Sequence, residues 1–275
     1  MAEPKQIEDN TAAPEDELSG SEAPLLDHLI ELRKRLIRSA IAVVGLMMVC
    51  FIFAGSIFDV LLVPYRRVFD NPGDLELIYT APQEFFFTQL NLAFFGALFL
   101  GFPYVALQLY RFVAPGLYKH ERKAFVPYLI ATPIFFLLGA MMVYFVILPM
   151  ALGFFAGMQT DEIKMLTRVS EYLGLAMTLI LAFGISFQLP VILTLLAQID
   201  LVHVDTLKKG RRYAIVGILI FAAFITPPDP ISQIGLAVPI YLLYELAIWS
   251  VRLIEKRRAK ALAEQGLDLS DSSTD

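Results

Sequence analysis

The sequence predicts an all-α polytopic membrane protein with six kinked transmembrane helices and both termini in the cytoplasm. Three observations support this fold class. Apolar side chains make up 57% of the 275 residues and mean hydropathy is +0.64, whereas soluble domains hold about 45–50% apolar residues. Long apolar stretches recur along the chain, and basic residues cluster at alternate ends of those stretches.

Six apolar stretches are predicted to form helices in the membrane, since roughly 20 apolar residues cross a hydrocarbon core of about 30 Å. The last two are separated by the Pro-rich turn 226–230, which no continuous helix can pass. The fifth is short and reaches only about 20 Å, so it is expected to lie against a thinned bilayer, to lie in a protein pocket, or to be lengthened by its flanks. The predicted stretches are 36–58, 85–110, 125–148, 172–199, 213–225 and 231–251.

Prolines inside these stretches each remove a backbone hydrogen bond and favour a kink. Kinked helices can enclose a concavity, although the kinks can equally well only shape the packing of the bundle. The prolines concerned are Pro103, Pro133, Pro190 and Pro239.

The distribution of Lys and Arg predicts the orientation, because basic residues near span ends are retained in the cytoplasm. They concentrate before the first span, between the second and third, between the fourth and fifth, and after the sixth. Residues 1–24 are acidic and poor in large apolar groups, which predicts a disordered cytoplasmic tail. Residues 25–253 are then the membrane domain, and residues 254–275 form a second cytoplasmic tail.

Enzymatic chemistry has little support in the sequence. The three histidines form no His-Glu-x-x-His pair, there is no glycine-rich phosphate loop, and the single Cys50 cannot form an intramolecular disulfide. We therefore expect no catalytic residue, metal or cofactor.

Two polar residues inside apolar stretches are candidates for function, because such residues are costly in a membrane. Glu245 is expected to face protein or water, and a functional role is favoured. Gln188 lies two residues before Pro190, where its amide either satisfies carbonyls released by the proline or lines a polar cavity. A small-solute or ion transporter with these two residues at its site is the rival class, and a structural scaffold is the third.

A third candidate site combines the segment before the first span with the connector 112–123. Leucines recur at helical spacing over residues 25–36, which predicts an interfacial amphipathic helix. Glu31 on this helix either pairs with Arg35 or joins Glu121 to present two carboxylates on one surface. Two carboxylates suit two guanidiniums, since each accepts a planar bidentate pair. The connector also holds aromatic and apolar residues beside Glu121, namely Phe112, Leu117 and Tyr118. Its basic residues are Lys119, His120, Arg122 and Lys123.

These features together resemble the TatC family, the multispanning subunit of the twin-arginine protein translocase. The resemblance covers about residues 25–251 and rests on four motifs in family order: His-Leu-Ile-Glu-Leu-Arg-Lys-Arg-Leu at 28–36, Phe-Val-Ala-Pro-Gly-Leu-Tyr-Lys-His-Glu-Arg at 112–122, Ala-Phe-Gly-Ile-Ser-Phe-Gln-Leu-Pro at 182–190, and Thr-Pro-Pro-Asp at 226–229. It implies a glove-shaped, concave bundle of six helices. The implied function is recognition of the twin-arginine signal peptides of folded cargo at the cytoplasmic face of the bacterial inner membrane.

The resemblance also assigns roles to particular residues. It implies acidic recognition by Glu31 and Glu121, and it implies that Gln188 occupies a position where the family often has Glu. The same signal-peptide patch would include Arg33, Phe112, Tyr118 and Lys119. Partner docking or loop structure would involve Pro64, Thr226, Pro227, Pro228 and Asp229.

The implied partners are the single-span subunits TatA and TatB, with TatB docking near the fifth span and the 226–230 turn. Self-association, membrane lipid and twin-arginine signal peptides complete the expected interactions. The resemblance implies no nucleotide site and no nucleic acid, with transport driven by the proton-motive force.

Overall fold

The computed structural model describes the backbone of residues 16–69, 77–113, 122–160, 166–225 and 230–271. Side chains are described for residues 29–69, 77–112, 127–160, 166–225 and 233–260. These residues are helical except for short connections and two strands of two residues each. The elements in chain order are α1 (Asp16–Ile52), α2 (Ala54–Val68), β1 (Leu77–Ile78), α3 (Glu84–Val113), α4 (Arg122–Met142), a π-helical turn (Val143–Ile147), α5 (Leu148–Ala156), β2 (Thr167–Arg168), α6 (Val169–Ser186), α7 (Leu189–Gln198), α8 (Val204–Ile225) and α9 (Pro230–Asp271).

The all-α, six-span membrane fold predicted from the sequence is confirmed. Five helical stretches of the described residues are long and apolar enough to cross a membrane: Leu29–Ile52, Glu84–Phe112, Pro127–Ala156, Val169–Gln198 and Gln233–Lys260. The sixth helix is α8, whose first two turns carry most of its charge. Its 22 residues span about 33 Å at about 1.5 Å per residue. The charged flank therefore lengthens the short apolar stretch, as one of the three alternatives predicted.

Three predicted boundaries differ from the structure. The first stretch does not continue to residue 58, because α1 ends at Ile52 and α2 begins at Ala54 as a separate helix with one buried face. The third continues to Ala156 through the π-helical turn, which leads into Pro149 in the first turn of α5. The fourth is broken between α6 and α7 by Phe187 and Gln188. Hydropathy alone cannot detect the breaks after Ile52 and Ser186, since the apolar composition continues across them. The extension to Ala156, in contrast, follows the apolar run.

The prolines do not all interrupt their helices. Pro103 and Pro239 lie inside α3 and α9, whereas Pro190 lies in the first turn of α7, directly after the break. Pro64 lies inside α2 and is fully buried.

The helices run alternately between two ends of the bundle. Arg35, near the start of the apolar span in α1, contacts Gln108 near the end of α3, and we call this end the Glu31 face. Arg67 lies in the last turn of α2, at the opposite end of the bundle, which we call the Arg67 face. At this face, Tyr172 at the start of α6 donates a hydrogen bond of 2.6 Å to the carbonyl of Leu61. Strands β1 and β2 pair in parallel at the same end.

The two tails predicted from the sequence are not separated from the helices. Residues 16–24 of the predicted N-terminal tail belong to α1. At the other end, α9 continues past residue 254 to Asp271. The outer parts of both tails, residues 1–15 and 272–275, lie outside the described residues.

Two glycines bring α4 and α6 into close contact in the core. A Cβ on Gly184 would lie 2.5 Å from Cε2 of Phe136, and a Cβ on Gly139 would lie 2.7 Å from the carbonyl oxygen of Phe183. Both phenylalanines are buried, so neither can swing away. Small residues at such crossings are the usual means of packing helices in a membrane, where the hydrophobic effect does not drive helices together.

Gly184→Ala is expected to lower the thermal midpoint in detergent, because overpacking a filled core costs about 1–3 kcal/mol. The matched control is Gly174→Ala in the same helix, where an added Cβ meets nothing within 4 Å. The control should be neutral or stabilising, since Ala exceeds Gly in helix propensity by about 1 kcal/mol. Equal midpoints for the two variants would show that the Gly184 contact does not limit packing.

Candidate functional site

Glu31 is held at the Glu31 face by Arg35, which in turn contacts a second helix. Its Oε1 accepts hydrogen bonds from Nε of Arg35 at 2.9 Å and from Nη2 of the same residue. Nη1 of Arg35 in turn donates to Oε1 of Gln108 on α3 at 3.4 Å. The Glu31 side chain remains 34% exposed. Its carboxylate is therefore fixed beside the last turns of α3 and is still accessible to solvent.

The structure shows the Glu31–Arg35 pair, which is one of the two alternatives predicted for Glu31. The other alternative, a joint surface with Glu121, needs α1 to lie toward the connector after α3. Helix α1 packs along α3, which ends at Val113 where that connector starts. The described part of the molecule thus brings Glu31 to the beginning of the connector.

The remaining residues of the predicted patch divide into two groups. Arg33 is exposed on α1, and Phe112 is half-buried in the last turn of α3. Tyr118, Lys119 and Glu121 lie outside the described residues. The leucine stripe before the first span is exposed at Leu29, Leu32 and Leu36.

Gln188 is a buried structural residue in this molecule, with only 6% of its surface exposed. Its Nε2 donates to the carbonyl of Gly184 at 3.3 Å and to the carbonyl of Thr132 on α4 at 3.1 Å. The break before Pro190 leaves the Gly184 carbonyl without its usual partner, because the backbone N–H of Gln188 bonds to Ile185 instead. The amide therefore satisfies a released carbonyl and also joins α4 to the break.

A chain of polar contacts extends from this break toward the end of α3. The Thr132 hydroxyl lies 2.8 Å from the hydroxyl of Tyr110 and donates to the carbonyl of Tyr128 at 2.9 Å. Tyr110 is two residues from Gln108 and two from Phe112 on α3. Sequence reasoning missed Gln108, although the rule that selected Gln188, a polar side chain inside an apolar stretch, also applies to it.

Glu245 contacts protein, as its position in the last span predicted. Its Oε2 accepts a hydrogen bond of 2.7 Å from Nη2 of Arg211 on α8, and its Oε1 accepts one of 2.9 Å from the hydroxyl of Tyr241. The Tyr244 hydroxyl donates to the carbonyl of Leu207 at 2.8 Å on the same helix pair. These contacts tie α8 to α9, and Glu245 and Gln188 have separate sets of partners.

The predicted turn residues Thr226, Pro227, Pro228 and Asp229 lie outside the described residues. On the helix that precedes them, apolar side chains point away from the bundle. Phe224, near the end of α8, is 93% exposed, and Tyr213, Val216 and Ile220 are exposed on the same helix. Near the turn, Nε2 of Gln233 donates a hydrogen bond of 3.2 Å to the carbonyl of Leu219.

Metal ligation has no candidate in the described part of the chain, where no group of three or more His, Cys, Asp or Glu side chains is placed to hold an ion. The polar groups of the Glu31 face can form charge-assisted hydrogen bonds with carboxylates and guanidiniums.

Comparison with known proteins agrees with the resemblance in the motifs. The family model described as "Sec-independent protein translocase protein (TatC)" matches residues 27–239. A TatC protein of Magnetococcus marinus is 42% identical over 92% of this chain and 93% of its own length. The TatC protein of Escherichia coli K12 is 37% identical over 83% and 88%. A crystal structure of a twin arginine translocase receptor, TatC, is 33% identical, with a TM-score of 0.75 over 83% of this chain and 99% of that one. This chain therefore belongs to the TatC family of Sec-independent protein translocase proteins.

Proposed function

We propose that this translocase subunit is the receptor for twin-arginine signal peptides of folded proteins, which it binds at the Glu31 face. That face lies on the cytoplasmic side of the bacterial inner membrane, with both termini. The chain then organises the single-span subunits TatA and TatB for export driven by the proton-motive force. No step of this function requires a cofactor or a catalytic residue.

The position of the Glu31 carboxylate is the observation that carries the proposal. Both hydrogen bonds from Arg35 end on Oε1, so Oε2 keeps acceptor capacity for an incoming guanidinium. Because Arg35 is also held by Gln108, the carboxylate is positioned before a peptide arrives. Preorganisation of this kind raises affinity by reducing the ordering cost of binding.

Glu121 supplies the second carboxylate in this proposal. It belongs to the connector that begins at the end of α3, and the last turns of α3 contact Arg35, the partner of Glu31. Arg33, Phe112, Tyr118 and Lys119 complete the patch, with aromatic groups for the apolar part of a signal peptide. A receptor role in the solved relative, described as a twin arginine translocase receptor, supports the same role here.

The charge of the Glu31 face supports its cytoplasmic orientation. Arg33, Lys34 and Arg38 are exposed on α1. Lys208 and Arg211 lie in the first turns of α8, which begins after α6 and α7 have run away from the Arg67 face. Basic residues near span ends are retained on the cytoplasmic side. The Arg67 face would then lie outside the cytoplasm.

The geometry gives less support to the alternative function, a small-solute or ion transporter with Gln188 and Glu245 at its site. A midplane transport site needs polar groups that converge on one pathway. Gln188 instead bonds to two backbone carbonyls, and Glu245 pairs with Arg211 and Tyr241. Both residues therefore hold helices together in the described structure.

Glu31→Gln and Glu121→Gln are each expected to weaken binding of a fluorescent twin-arginine signal peptide by roughly 10- to 150-fold, since a hydrogen bond to a charged group contributes about 1.5–3 kcal/mol. The matched control is Glu171→Gln, which removes an exposed carboxylate paired with Arg168 at 3.4 Å on the Arg67 face. Binding to this control should equal that of the wild type.

A twin-lysine peptide distinguishes planar recognition from simple charge. It should bind the wild type much more weakly than the twin-arginine peptide, because ammonium groups cannot form bidentate pairs. Equal affinity of the wild type for the two peptides would contradict recognition by a carboxylate pair. So would a loss of affinity in Glu171→Gln as large as the loss in Glu31→Gln and Glu121→Gln.

The docking of TatB is expected to use the exposed apolar side of α8. Replacing Phe224 with the photoreactive p-benzoylphenylalanine should give a cross-link to TatB in membranes on irradiation. The same probe in place of Phe87, an exposed aromatic residue on α3, provides the control. TatB cross-links of equal yield at both positions, or at Phe87 alone, would argue against α8 as the docking helix.

Glu245→Gln is expected to lower thermal stability and leave signal-peptide binding unchanged. The loss should be about 1 kcal/mol, the size of polar contacts between membrane helices, because Arg211 loses its charged partner. The double variant Arg211→Gln/Glu245→Gln should recover most of this loss. Impaired peptide binding with unchanged stability would instead give Glu245 a direct role in recognition.

A further inference from the structure

A groove of about 490 Å³ opens on the membrane-facing surface between α2, α3 and α4 with its π-helical turn. Its walls are almost entirely apolar, and Ile180 on α6 closes the back. The hydroxyl of Tyr144, one of its few polar groups, donates a hydrogen bond of 2.7 Å to the carbonyl of Val60. The groove therefore offers hydrocarbon contacts along its length.

The dimensions of the groove suit a flexible chain. It extends along the third predicted span from Leu137 to Phe145, about 12 Å at a rise of about 1.5 Å per residue. One leaflet of a hydrocarbon core about 30 Å thick measures about 15 Å. A partner helix about 10 Å wide would fill roughly 900 Å³ over the same length, more than the groove of about 490 Å³ holds.

A cation lies at the end of the groove nearest the Arg67 face. The guanidinium carbon of Arg67 lies 5.8 Å from the ring centre of Phe145, which lines the groove. The neighbouring Arg66 points elsewhere and pairs with Asp59 at 3.5 Å. Val60 and Phe145 at this end are exposed, and so is Arg67, so the groove and the guanidinium are both accessible from outside the bundle.

We propose that this groove is a phospholipid site, in which one acyl chain lies between α2, α3 and α4 and the lipid phosphate binds Arg67. The arrangement matches an amphipathic ligand, with an apolar channel one leaflet long that ends at a cation. Arginine is well suited to phosphate because its planar guanidinium donates two parallel hydrogen bonds. The ligand belongs to the leaflet at the Arg67 face, opposite the signal-peptide surface.

Native mass spectrometry of the full chain released from detergent micelles tests the assignment. The probes are phosphatidylglycerol and a diacylglycerol with the same acyl chains, which lacks the phosphate. Wild-type protein should retain phosphatidylglycerol in preference to diacylglycerol. Arg67→Gln should retain about tenfold less phosphatidylglycerol, the loss expected for one charge-assisted hydrogen bond, whereas Arg66→Gln should match the wild type.

A second variant tests the acyl channel without changing charge. Ser56 is exposed at the wall of the groove, and Ser56→Phe should lower retention of phosphatidylglycerol by occupying the channel. Thermal midpoints equal to that of the wild type establish that each variant is folded.

Three results would overturn the site. Equal retention of the two lipids by the wild type would remove phosphate recognition. Equal losses in Arg66→Gln and Arg67→Gln, or no loss in Arg67→Gln, would remove the assignment to Arg67. Unchanged retention in Ser56→Phe would place the acyl chain outside the groove.

Discussion

The need to satisfy polar groups inside the protein governs how this bundle is put together. In hydrocarbon there is no water to replace a missing partner, and each unsatisfied group costs several kcal/mol. Gln188 meets this need at the break between α6 and α7, where it bonds to a released carbonyl and to α4. Glu245 meets it by pairing with Arg211. The same contacts that satisfy polar groups thus determine which helices are tied together.

Glu31 is subject to the opposite requirement. A receptor for guanidinium groups needs a carboxylate that stays charged and accessible, so it must lie at the membrane boundary. Glu31 is placed there at the start of the first span, with a basic partner on its own helix and Gln108 beyond it. Glu245 thus ties two helices together within the bundle, whereas the role proposed for Glu31 is recognition at the surface.

Much of the fold follows from the sequence, because the membrane imposes the length and composition of each span. The spans and the contact of Glu245 with protein were predictable on that basis, and one alternative for Gln188 described its observed hydrogen bonds. The separate helix α2 and the π-helical turn were not, since both depend on tertiary packing inside stretches of uniform apolar composition. Gln108 illustrates the same limit at the site. Its polarity is visible in the sequence, but its contact with Arg35 exists only because α1 lies along α3.

The packing of α1 on α3 therefore connects the membrane core to the recognition surface. Gly96 and Gly101 on α3 allow α1 to approach closely. A Cβ on Gly96 would lie 3.1 Å from the sulfur of Cys50, and a Cβ on Gly101 would lie 3.2 Å from Cδ1 of Leu46. Both contacts lie about three to four helical turns from Arg35. Because α1 is one continuous helix from these points back to Glu31, the close approach that the glycines allow also brings Glu31 near the end of α3. The proposed carboxylate pair thus depends in part on small residues within the membrane span.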